Sequence, residues 1–118
     1  MRLLIQRIYS KEAMPGLRIL VDRLWPRGIS KEKANLYAWF REVAPSDELR
    51  REFSHIAEKF GTFRERYREE LRNNPEFHRL LEICRANDVV LLYSASDTEH
   101  NNAVVLKEAL ETGLDPDA

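Results

Sequence analysis

A five-residue apolar run, Val89-Val90-Leu91-Leu92-Tyr93, constrains the fold most. It is too short for a helix, it starts on β-branched residues, and nothing polar interrupts it. It therefore reads as a strand buried on both faces. Such a strand needs layers covering its sheet, and a helical pattern follows it directly, so an α/β layer structure is expected.

Upstream patterns supply the partners. Leu3-Leu4-Ile5-Gln6-Arg7-Ile8-Tyr9 begins apolar and ends in alternation, a first strand. Met14-Pro15-Gly16 marks a turn, and Leu17–Asp22 reads as a second strand. Trp25-Pro26-Arg27-Gly28 then interrupts any ladder. In residues 30–44, Leu36, Trp39, Phe40 and Val43 stand at i, i+3, i+4 and i+7, one face of a helix ended by Ala44-Pro45. Ser46 caps the next helix, whose stripe is Leu49, Phe53, Ile56 and Phe60 and which Gly61 stops. Thr62-Phe63-Arg64-Glu65 has the form of a capping box, with Phe63, Tyr67 and Leu71 as the stripe behind it. Pro75 suits a first helical position ahead of Phe77, Leu80, Leu81 and Cys84. Asp97 or Thr98 caps a last helix that Gly113 ends. The predicted order is β-β-α-α-α-α-β-α. This is one α/β domain over residues 1–118, a small, mainly parallel sheet of about three strands covered by five helices.

With 43% hydrophobic and 33% charged residues, the chain can bury a core under a heavily charged surface, which excludes wholesale disorder. No apolar run approaches a membrane span, and the N-terminal stretch is too short for a signal peptide. The single cysteine, Cys84, cannot form an internal disulfide and sits on an apolar helix face as an inert thiol. A reducing cytoplasm and no membrane partner are the expectation. A homodimer that extends or covers so small a sheet is a further one.

Charge is lopsided. Net charge is −1, which argues against a general nucleic-acid binder. Residues 1–33 nonetheless hold eight Lys and Arg against three acids, a local +5 balanced by −6 over the rest. The N-terminal arginines either form a focused positive site or pair with acids from the helices.

In open α/β sheets ligands collect beyond the carboxyl ends of the strands. Two segments end there. One is Asp22-Arg23-Leu24-Trp25-Pro26-Arg27-Gly28, after the second strand. The other is Ser94-Ala95-Ser96-Asp97-Thr98-Glu99-His100-Asn101-Asn102, between the third strand and a helix. If their strands are parallel neighbours, the segments share a pocket for a small anionic ligand. Arg23 and Arg27 would supply planar charged forks and Trp25 a wall, while Ser94, Ser96, Asn101 and loop amides would donate hydrogen bonds. His100 and Asp97 are the acid–base pair to consider if a reaction occurs. Equally, Asp22–Arg23 could be a strand-end ion pair, Asp97 a cap and Trp25 a core anchor. Ser94 lacks the G-x-S-x-G surroundings of an activated nucleophile. Histidines 55, 78 and 100 are dispersed, and Glu52-x-x-His55 is half of a di-iron pattern whose second copy is absent, so neither metal nor cofactor is expected. The alternative from another class is a non-catalytic interaction or regulatory protein touching nucleic acid through its basic N-terminal region. A third is a purely structural polar cluster.

The segments VDRLWPRG (21–28), WFREVAPS (39–46), FRERYREEL (63–71) and LLYSASDTEHNNAVVLKEAL (91–110), in that order, resemble the domain-of-unknown-function 488 family in its YeaO-like branch. The resemblance spans nearly the whole chain and implies a fold without implying a reaction. Broader branches of that family carry a cysteine after the third strand and a later Cys-His-Arg segment. Here Tyr93-Ser94 and His100-Asn101-Asn102 stand in that neighbourhood, which puts thiol chemistry in doubt. A looser likeness to rhodanese-type domains concerns the fold alone and also lacks the loop cysteine.

Overall fold

A computed structural model describes residues 2–113. It contains four parallel strands: β1 (Leu3–Arg7), β2 (Leu17–Leu20), β3 (Ala38–Trp39) and β4 (Val89–Tyr93), in the order β1-β4-β2-β3. The helices are α1 (Lys31–Ala34), α2 (Asp47–Phe53), α3 (Phe60–Arg72), α4 (Pro75–Ala86) and α5 (Asn102–Thr112).

The unbroken apolar run forms β4, paired on one side with β1 (Leu3 opposite Val89) and on the other with β2 (Leu17 opposite Val89). All five of its residues are buried. Its side chains alternate between two unequal layers, as the pleat requires. Val89, Leu91 and Tyr93 join the large core with Phe63, Tyr67 and Leu71 of α3, Phe77 and Leu80 of α4, and Val105 and Leu106 of α5. Val90 and Leu92 face a smaller core built by Ile8, Leu20 and Ala34, with Trp25, Trp39 and Met14 packed around it. Burying β4 alone is worth on the order of 10 kcal/mol of apolar transfer, at about 1.5–3 kcal/mol per large side chain.

The sheet has four strands where about three were expected, because residues 30–44 are not one helix. α1 stops after Ala34, where Asn35 turns left-handed (φ 46°). Ala38 and Trp39 then pair with Ile19 and Leu20. Trp39 and Phe40, placed side by side on a helical stripe by their spacing, pack into opposite cores, as successive strand residues do. A 3-10 turn, Arg41–Val43, follows. α2 ends at Phe53, before Ile56, which is exposed; Ser54 and His55 both carry positive φ (45° and 56°). α3 starts at Phe60 with no side-chain cap and takes in Gly61 and Thr62, so the Thr62 capping box and the Gly61 stop do not form. Pro75 does open α4, capped by Asn74. α5 is capped by Asn101, not by Asp97 or Thr98, and Gly113 ends it. Among the described residues no helix is long and apolar enough to cross a membrane.

Two polar contacts, one buried and one partly buried, tie the helical layer to the segment before α2. The Tyr67 hydroxyl donates to the Val43 carbonyl at 2.7 Å. Burial, reinforced by nearby Asp22 and Glu70, pushes that phenol well above its ordinary range, so it stays a neutral donor. Glu70 accepts the Ser46 amide (2.9 Å) and hydroxyl (2.6 Å).

Candidate functional site

β2 and β4 are parallel neighbours, so the segments 22–28 and 94–102 leave the same edge of the sheet. Asp22 joins them. One carboxylate oxygen accepts the Ser94 amide and hydroxyl, both at 2.8 Å; the other accepts the Asn102 side-chain amide at 3.1 Å. Asn102 also donates to the Val21 carbonyl at 3.1 Å. A carboxylate taking three donors fixes the ends of two strands and the start of α5 in one frame.

Above this frame lies a cavity of about 440 Å³. Four arginines line it: Arg7, Arg23, Arg27 and Arg50. Arg7 ends β1, and its Nε donates to the Ser94 (3.3 Å) and Ala95 (3.0 Å) carbonyls while its guanidinium lies 4.7 Å over the Tyr9 ring. Arg23 is heavily committed. It donates to the Ala44 carbonyl at 3.1 Å and the Pro45 carbonyl at 3.4 Å, and it faces Glu42 at 3.6 Å. Arg50 shares an exposed pair with Asp47 at 3.0 Å. Among the described residues the Arg27 guanidinium has no partner; its carbonyl accepts the Tyr9 hydroxyl at 2.8 Å. Against four guanidinium groups the lining holds one carboxylate, Asp22, whose oxygens are already occupied. The lining thus carries more positive than negative charge, partly offset by Glu42 against Arg23 and Asp47 against Arg50.

The rest of the wall is apolar. The Trp25 indole donates to the Ile29 carbonyl at 2.7 Å and meets Trp39 edge to face at 5.3 Å, which locks its ring. Leu24, Pro26, Phe53 and Phe63 complete that side, and His55 stands at the rim, 5.5 Å from the Phe53 ring.

Of the residues singled out from sequence, Arg23, Trp25, Arg27 and Ser94 line the cavity. Ser96 is exposed and does not. Asn101 is fully buried; it accepts the Val104 amide at 3.0 Å and donates to the Asp97 carbonyl at 2.9 Å, which makes it a helix cap. His100 and Asp97 pair with each other (3.0 Å) outside the cavity lining, the histidine ring edge-on to Phe60 at 5.1 Å. Asp97 also accepts the amides of Glu99 (2.9 Å) and His100 (3.0 Å), which hold its carboxyl below the ordinary range. The loop amides read as donors for a ligand are therefore taken up by this chain's own carboxylates. Arg7 and Arg50 line the cavity without having been singled out, His55 had been read only as half of an incomplete di-iron pattern, and Asn102 had been named only as the end of the 94–102 segment. Of these, Asn102 and Arg7, which closes an apolar strand, had a local signal at the ligand-collecting edge.

Comparison with known proteins gives a full-length match. Residues 2–118 match a family profile described as the inactive DUF488-N3 subclade. The chain is 43% identical over 114 residues to a protein of Escherichia coli (strain K12) named Uncharacterized protein YeaO, covering 95% of this chain and 99% of that one. It is 34% identical over 110 residues to Uncharacterized protein Rv3073c of Mycobacterium tuberculosis (strain ATCC 25618 / H37Rv), covering 92% and 93%. No solved structure matches.

Proposed function

Because the chain belongs to the DUF488-N3 family, in the subclade described as inactive, we propose that it binds a small anionic ligand at the carboxyl edge of its sheet and holds it without turnover. The supporting observation is the lining of the cavity, four arginines against a single, already saturated carboxylate. Arg27 and the free edges of Arg7 are the primary contacts, Arg50 joins them on exchanging Asp47 for ligand, and Arg23 braces the wall. Ser94 stands at a strand end where broader branches of the family are expected to carry a cysteine, and its hydroxyl is already donated to Asp22. A holding role fits both facts. The lone, buried-side thiol fits work in a reducing cytoplasm.

A nucleic-acid contact draws less support. Three of the eight N-terminal bases converge on the cavity, and Arg18 donates to the Ala34 carbonyl at 3.0 Å, so no continuous basic stripe forms from them.

Calorimetry of the whole chain against inorganic phosphate, sulfate and a panel of phosphorylated metabolites tests the reading. Loss of one charge-assisted contact costs about 1.5–3 kcal/mol. Arg27→Ala should therefore weaken binding at least tenfold, with unchanged thermal stability. Equal heats for the wild type and Arg27→Ala would end the proposal.

A further inference from the structure

We infer that the ligand is a nucleoside monophosphate, its phosphate on the arginines and its base on the apolar wall. This rests on the anion-binding reading above and narrows it.

Room is the first argument. A bare tetrahedral oxyanion takes the space of roughly two or three waters, at about 30 Å³ each. That is about a fifth of the 440 Å³ cavity. A cavity of this size is within the range that encloses an organic ligand of several rings.

Charge is the second. Arg27 has no side-chain partner among the described residues, and Arg7 uses only Nε on the protein. The donor edges left over exceed what a monoanion can use. A phosphate monoester carries about −1.5 to −2 at neutral pH and three acceptor oxygens, a match for two guanidinium forks.

The apolar part of the lining is the third. Leu24 is 61% exposed, the most exposed large hydrophobic side chain among the described residues, and it lines this cavity with Pro26 and Phe53. Leu24, Pro26 and Phe53 give a flat, weakly polar group apolar contact within the same cavity that holds the arginines. At the rim His55 keeps a left-handed backbone (φ 56°) directly after left-handed Ser54 (φ 45°). Two successive strained residues that present an imidazole to a cavity are costly unless the imidazole is used there. A sugar phosphate would satisfy the arginines and leave Leu24 and His55 without a purpose.

Titration calorimetry of the whole chain at fixed ionic strength, with AMP, CMP, ribose 5-phosphate, inorganic phosphate and adenosine, decides the matter. Nucleotides are expected to bind at least tenfold more tightly than ribose 5-phosphate or inorganic phosphate, with no measurable heat from adenosine. Leu24→Ser, a change at an exposed position, should bring nucleotide affinity toward that of ribose 5-phosphate; nucleotides that keep their full advantage in this variant would overturn the inference. Ribose 5-phosphate or phosphate binding as tightly as the nucleotides would overturn the inference and leave the anion-binding reading standing. No heat from any probe, or adenosine binding as well as AMP, would overturn both.

Discussion

Replacing Asp22 by asparagine should loosen the whole carboxyl edge of the sheet. The carboxylate accepts three hydrogen bonds, two from Ser94 and one from Asn102. Asparagine keeps one acceptor oxygen and gains a donor. With its oxygen turned to Ser94, its amide nitrogen meets the amide of Asn102, donor against donor. Rotating Asn102 to accept instead removes its 3.1 Å bond to the Val21 carbonyl. Each bond that loses its charged acceptor falls from about 1.5–3 to about 0.5–1.5 kcal/mol, and one is lost outright. The site is partly open, so water recovers some of this, leaving a loss of about 2–3 kcal/mol. With a urea slope of about 1.5–2 kcal/mol/M for a chain of this size, the midpoint should fall by about 1–2 M when unfolding is followed by far-ultraviolet circular dichroism. Ser94→Ala removes only the hydroxyl contact, about 1.5–3 kcal/mol before water takes its place on the partly open carboxylate, and should cost about 1 kcal/mol. An Asp22→Asn midpoint within about 0.3 M of the wild type, or a Ser94→Ala loss as large as that of Asp22→Asn, would refute the assignment of this carboxylate as the joint between the strands.

Other perturbations probe the layers around it. Tyr67→Phe strips the only donor from the buried Val43 carbonyl among the described residues and should cost about 1–3 kcal/mol in the same denaturation assay, with no change in fold. Gly16→Ala places a Cβ 2.9 Å from the Asp88 backbone at φ 133°, so it should cost at least about 2 kcal/mol, whereas Gly61→Ala, with open space around it in α3, should be neutral or stabilising. Burial pushes the Cys84 thiol up to about 11. At pH 8 about one molecule in a thousand is then thiolate, and alkylation should run at least tenfold slower in the folded chain than in urea. Raising the pH from about 9 toward 11 ionises the unfolded thiol first, so stability should fall across that window.

The sequence revealed most where one physical rule acted alone. β4 lacks alternation because both its faces are covered, and that absence is itself a pattern. Asp22 through Arg27 and Ser94 were placed at the sheet edge because they follow strands directly. β3 left no such trace: two paired residues are too few to alternate, and Trp39 and Phe40 happened to fall at helical spacing with Leu36 and Val43. The start of α3 was misplaced because Phe60 begins it without any capping side chain, while Thr62 and Glu65 mimic a cap inside the first turn. Arg50 reaches the cavity from α2, and His55 through a left-handed step at Ser54 and His55, residues that do not announce it as glycine or asparagine would. Arg7 needed the strand order, since only pairing with β4 brings it beside Ser94.

The position of β4 also has a consequence for synthesis. It separates β1 from β2 in space yet leaves the ribosome after every other strand, 86 residues behind its contact on β1. At about 5–20 residues per second, β1 waits roughly 4 to 17 seconds for the strand that joins it to β2. A nascent chain cut short between Trp39 and Val89 carries β1 without a neighbour and β2 with only β3 beside it, and its apolar faces are open to chaperones and proteases. Synthesis of the Val89–Tyr93 segment, more than of any earlier strand, commits this fold to its native pairing.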